Sequence, residues 1–87
     1  MNGYKELVES IVKFTVYNMS PINVKQYGFP VYRVHLLTVI SSIGRELKDG
    51  NFDWEFDIDG VCYRAFRDGS GWMTIFKKED FDKSLVS

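Results

Sequence analysis

The chain is short of the residues that build metal and nucleophilic centres: its 87 positions hold one cysteine, one histidine and two prolines. A single thiol, Cys62, cannot close an internal disulfide. One thiol and one imidazole, His35, also fall short of thiolate clusters and multi-histidine zinc or iron sites. Cys62 as a nucleophile would need His35 beside it and a third group to orient the ring, which the local spacing does not provide. No catalytic residue, metal or cofactor is therefore expected. An excess of charge is lacking too. Eleven basic against twelve acidic side chains leave −1, so no global positive field gathers counterion-release energy from nucleic acid or anionic lipid. The longest mostly apolar stretch, Val34 to Ile43, is interrupted by His35, Thr38, Ser41 and Ser42 and is too short to cross a bilayer. No charged leader precedes an apolar run, and cytoplasmic residence is the expectation. Phosphate-cradling loops are missing as well: Gly28, Gly44 and Gly50 are isolated, and Asp68-Gly69-Ser70-Gly71 precedes a strand pattern where a helix N-terminus would be needed.

What is present is apolar surface. Hydrophobic residues make up 45% of the chain and aromatics 16%, too much for disorder and suited to one domain with shallow sites. Residues 3–18 set Tyr4, Leu7, Val8, Ile11, Val12, Phe14 and Thr15 on one side of a helix, with Lys5, Glu6, Glu9, Ser10 and Lys13 on the other. Ser20-Pro21 reads as a helix start and Gly28 as a stop, which predicts a short second helix from Pro21 to Tyr27. Pro30 opens a longer helix to about Lys48, striped by Leu36, Ile40, Ile43 and Leu47. The β-branched run Val31, Val34, Thr38, Val39 and Ile40 competes with it as a strand signal.

From Phe52 the period changes to two. Phe52, Trp54, Phe56 and Ile58 alternate with Asp53, Glu55, Asp57 and Asp59, and Val61 to Arg67 and Trp72 to about Lys78 follow as strands. The expected architecture is α+β, with two or three N-terminal helices packed on one face of a three-stranded antiparallel meander (ααβββ or αααβββ). The stretch Glu-Phe-Asp-Ile-Asp-Gly within this region has the acid spacing of a calcium loop, but the bidentate glutamate position is taken by Phe66. Asp59-Gly60 is instead the centre of a type I′ turn, pairing Ile58 with Val61, Phe56 with Tyr63, Trp54 with Ala65, Glu55 with Arg64 and Asp57 with Cys62.

Two functional expectations follow. The outer face of the meander is assigned Asp53, Glu55, Asp57, Cys62, Arg64, Phe66, Met73, Ile75 and Lys77, an apolar stripe flanked by charge. It suits a small non-catalytic module of regulator or inhibitor type that binds a protein partner or a second copy of itself. The competing disposition is that the carboxy-terminal segment covers this face through Phe81 and Leu85. The other expectation comes from Val24, Tyr27-Gly28-Phe29, Val34 and Leu37, whose spacing resembles helix-turn-helix DNA-binding domains; with the following hairpin it looks like the winged variant. That resemblance implies that Val31, Tyr32, Arg33 and His35 face the major groove. The acids of the hairpin oppose such a role, because they would meet phosphates with like charge.

Overall fold

A computed structural model describes residues 3–35, 52–67 and 71–86. The elements are α1 (Gly3–Asn18), β1 (Ile22–Asn23), β2 (Pro30–His35), β3 (Asp53–Ile58), β4 (Val61–Arg67), β5 (Trp72–Lys77) and α2 (Lys78–Val86). The strands form one antiparallel sheet in the order β1-β2-β5-β4-β3. No described helix is long and apolar enough to cross a membrane.

Helix α1 forms as its stripe predicts, although the buried face is narrower. Val8, Val12 and Thr15 are buried and Ile11 and Val16 half-buried, whereas Leu7 and Phe14 stand exposed. Thr15 enters the core because its hydroxyl donates to the Ile11 carbonyl at 2.8 Å, leaving no polar group unpaired there. The helix ends where Pro21 bars the α region to the residue before it, with Asn18 Nδ2 donating back to the Phe14 carbonyl at 2.9 Å.

The chain then departs from the expected helices. Ile22–Asn23 is a two-residue strand, not the start of a second helix, and Pro30–His35 is a strand, not the first turns of a third. The remainder of that expected helix lies outside the described residues. The ααβββ and αααβββ arrangements are therefore overturned: one N-terminal helix precedes a five-stranded sheet, and a helix closes the chain. In β2 the β-branched signal prevails. Pro30 occupies the first strand position, where a missing donor is tolerated, and β2 lies between β1 and β5. Its Val31 and Val34 are buried on opposite sides, so the strand lacks the clean alternation of one with a solvated face.

The β3–β4 hairpin matches its sequence reading pair for pair, from Trp54 opposite Ala65 to Ile58 opposite Val61, and continues to Asp53 opposite Phe66. Asp59 and Gly60 have φ of 54° and 80°, the two positive angles of the type I′ turn. Tyr17, near the end of α1, donates a 2.6 Å hydrogen bond to Asp59 Oδ2 and ties the helix to this turn.

Strand register sorts the side chains onto two faces. On the α1 face, Val34, Met73, Ile75, Tyr63, Ala65, Phe56 and Ile58 pack with Phe52, Val8 and Val12 as one buried cluster. On the other, the α2 face, register places Val31, Arg33 and His35 of β2, Trp72, Thr74 and Phe76 of β5, Cys62, Arg64 and Phe66 of β4, and Asp53, Glu55 and Asp57 of β3. The central strand β5 explains itself on this geometry: Met73, Thr74, Ile75 and Phe76 are all buried because both faces are covered.

Candidate functional site

Helix α2 packs on β4 and β5, and its Phe81 ring is the anchor. Phe81 stacks on Phe76 at 5.7 Å, and Phe29, from the loop ahead of β2, meets Phe76 edge-on at 5.3 Å and Phe81 at 6.3 Å. Phe66 meets Phe76 at 5.9 Å, and Tyr27 lies 6.0 Å from Phe29. Tilted and edge-on contacts of this kind place ring edges against ring faces, the favoured arrangement for aromatic pairs. The expectation that the carboxy-terminal segment folds over this face thus holds for Phe81 but not for Leu85, which is 70% exposed.

The cover is incomplete. Between the loop, the sheet and α2 lies a cleft of ≈ 510 Å³, lined by Tyr27, Phe29, Phe66, Phe76 and Phe81 together with Gln26, Gly28, Ser84 and the Asp53–Arg64 pair. Its size and mainly aromatic lining are those of a small-ligand or side-chain pocket with a few polar groups. Arg64 donates through Nε to Asp53 Oδ1 at 2.7 Å and through Nη2 to Asp53 Oδ2, a two-pronged pair, while its guanidinium carbon stands 5.8 Å above the Phe81 ring. The hydrogen bonds that Arg64 donates hold the Asp53 carboxyl below its usual range against an opposing desolvation, and the same bonds, accepted by Asp53, raise Arg64. The pair therefore stays ionised, and the guanidinium plane is fixed across the cleft wall.

Glu55 stands opposite Arg64 in register, yet Arg64 turns diagonally to Asp53, and Glu55 is 3.5 Å from Lys78 Nζ instead. In place of a Glu55–Arg64 ion pair, Arg64 makes its two parallel N–H···O bonds to the diagonal partner. Asp57 is exposed. Burial, and then the nearby Glu55 carboxylate, raise the Cys62 thiol above its usual value. Both effects oppose thiolate formation and with it nucleophilic chemistry.

Of the residues assigned to a partner surface, the structure brings Asp53, Arg64 and Phe66 together at the cleft and leaves Glu55 and Asp57 beside it on β3. Cys62 keeps its place on that face, and Met73, Ile75 and Lys77 leave it. Ile75 pairs with Ala65 and Met73 with Arg67, so both lie on the α1 face at 0% and 1% exposure, and Lys77, opposite Tyr63, shares that face. The reason is parity. Met73 and Ile75 share a face with Phe66 only if β5 is shifted one residue against β4, and such a slip exchanges the two faces of the whole strand.

The DNA-reading residues do not form a helical face. Tyr32 turns to the α1 face, while Arg33 and His35 turn to the other, 5.8 Å and 4.8 Å from the Trp72 ring. With β2 in place of a recognition helix, the helix-turn-helix resemblance fails at its second element. The residues that sequence reasoning missed are Tyr27, Phe29 and Phe76. Their signal was the run Trp72 to Phe76, which holds no charged residue and demands a cover on each side of β5, and an aromatic-glycine-aromatic loop able to provide one.

Comparison of the chain with protein-family models, with curated proteins and with solved structures gave no match.

Proposed function

We propose that the protein is a small non-catalytic binding module whose site is the aromatic cleft of the α2 face, filled by an apolar or aromatic side chain of a protein partner. The observation that carries this reading is the convergence of Phe66, Phe81, Phe29 and Tyr27 around a cleft that also exposes the fixed Arg64–Asp53 pair. Ring walls supply area for burying an anchor, at about 25 cal/mol per Å² of apolar surface removed from water. The guanidinium keeps N–H groups beyond the two given to Asp53, which suit a backbone carbonyl flanking the anchor. Aromatic and arginine side chains are also the types enriched where interface energy concentrates.

Selection of a displayed peptide library against the wild type, with counter-selection against Phe66→Asp and Arg64→Ala, tests the reading. It expects sequences sharing one aromatic or large aliphatic position, retained by the wild type and lost by both variants. Selected peptides held equally by all three proteins would place binding elsewhere and sink it.

A further inference from the structure

We propose that the outer edge of β3 receives an extended basic segment of a partner chain as a sixth strand. The proposal shares with the cleft reading only the premise that this protein binds other chains. Apart from Asp53, which stands at both sites, it is carried by different residues.

The two edges of the sheet are built differently. The β1 edge is two residues long, with Pro21 before it and Pro30 opposite Asn23, so it offers little ladder to a newcomer. The β3 edge is six residues long, pairs with β4 without a bulge, and contains no proline. Its hydrogen-bonding phase follows from the ends of the hairpin. The two-residue turn closes at Ile58 and Val61, and Arg67 N–H donates to the Phe52 carbonyl at 3.2 Å, so residues 52, 54, 56 and 58 spend their backbone groups on β4. Asp53, Glu55 and Asp57 therefore turn their N–H and C=O outward, and no described residue pairs with them.

The side chains of these three are exposed acids on the α2 face, Asp53 paired with Arg64 and Glu55 with Lys78, so that acid exceeds base there by one through Asp57. On the other side of the strand an open groove of ≈ 390 Å³ runs between α1 and β3, and its α1 wall of Lys5, Glu6 and Glu9 sets two carboxylates against one amine. A strand laid on the edge sends alternate side chains to these two sides, and it meets acid on both. Among the described residues no group of acids converges to hold a metal ion, so the spread charge matches an extended polycation better than a single ion. A second copy of this chain is disfavoured, because an antiparallel β3–β3 pair centred on Glu55 sets Asp53 against Asp57 and Glu55 against itself. Main-chain pairing for affinity with side-chain charge for selection is the known logic of strand addition.

The probe is acetyl-(Lys-Thr)4-amide, whose lysines face acid in either register; its controls are the same peptide N-methylated at every residue and acetyl-(Glu-Thr)4-amide. Bound to the wild type, the lysine peptide is expected to slow amide hydrogen exchange at Asp53, Glu55 and Asp57 by about tenfold. Glu55→Lys and Asp57→Lys, both at exposed positions, should each weaken binding about tenfold, and the two controls should not bind. Phe66→Ala, which opens the cleft, should leave this binding unchanged, so failure of the cleft reading and failure of this one are separable. Equal binding of the N-methylated peptide would reduce the effect to diffuse charge attraction. Unchanged exchange at the three amides, or a dimer joined through β3, would overturn the proposal.

Discussion

The two faces of the sheet carry comparable numbers of rings but use them differently. Under α1 the side chains from four strands close into one buried cluster with Val8 and Val12, and the buried polar group in its helix, Thr15, is satisfied by the helix backbone. Under α2 a short helix and a loop share the cover, charge reaches the sheet surface at Arg64 and Asp53, and a cleft stays open among the rings. The first face is core throughout, and the second leaves room for the proposed site. A substitution on the first face acts through the fold, whereas on the second it acts through the fold only beneath Phe76 and Phe81.

The largest expected effect is at the centre of the first face. Ile75→Asp buries an unpaired carboxylate and should cost more than about 4 kcal/mol, enough to abolish the cooperative unfolding transition followed by circular dichroism. Survival of a folded Ile75→Asp protein would break the comparison outright. Met73→Ala, a cavity at the same level, should cost about 2–5 kcal/mol in urea denaturation. Phe81→Ala, half-buried at the interface of α2 with the sheet, is expected to cost about 1–2 kcal/mol; a loss as large as that at Met73 would make the second face core as well.

Charge effects are smaller. Asp53 has its pKa lowered by Arg64, so its contribution is full above the unfolded carboxylate value of about 3.9 and fades as pH falls through the lower folded value. The pair is exposed, and Arg64→Ala should change stability at neutral pH by less than about 1 kcal/mol while removing cleft binding. At the alkaline end the hydrogen bond to Asp59 raises the pKa of Tyr17. The tether is then complete below the unfolded tyrosine value near 10 and lost as pH rises through the folded one. Tyr17→Phe should erase this alkaline dependence, read as the shift in melting temperature between pH 9 and pH 11.

Legibility in the sequence followed burial geometry. The β3–β4 hairpin could be read because β3 is an edge strand with one wet face, so its apolar period is clean and its two-residue turn sets register. Strand β2 could not be. Lying between β1 and β5 with apolar contacts on both sides, it shows β-branched residues without strict alternation, and proline at its head imitates a helix start. The face of β5 was lost to one residue of register, since the segment joining it to β4 is not a two-residue turn. Of the candidate site, Asp53, Arg64 and Phe66 were legible as outward neighbours on a known hairpin. Tyr27, Phe29 and Phe76 were not, because only tertiary folding brings the loop and α2 over the sheet.

A nitrogen-15 correlation spectrum of the wild type, titrated with N-acetyltryptophanamide as a bare aromatic anchor, tests the division between the faces most directly. Saturable shifts are expected at Tyr27, Gly28, Phe66 and Phe81, with a dissociation constant on the order of 0.1–10 mM and no change at Val8, Val12 or Ala65. Shifts that cluster on the α1 side, or that stay linear and scattered over the surface, would contradict that division.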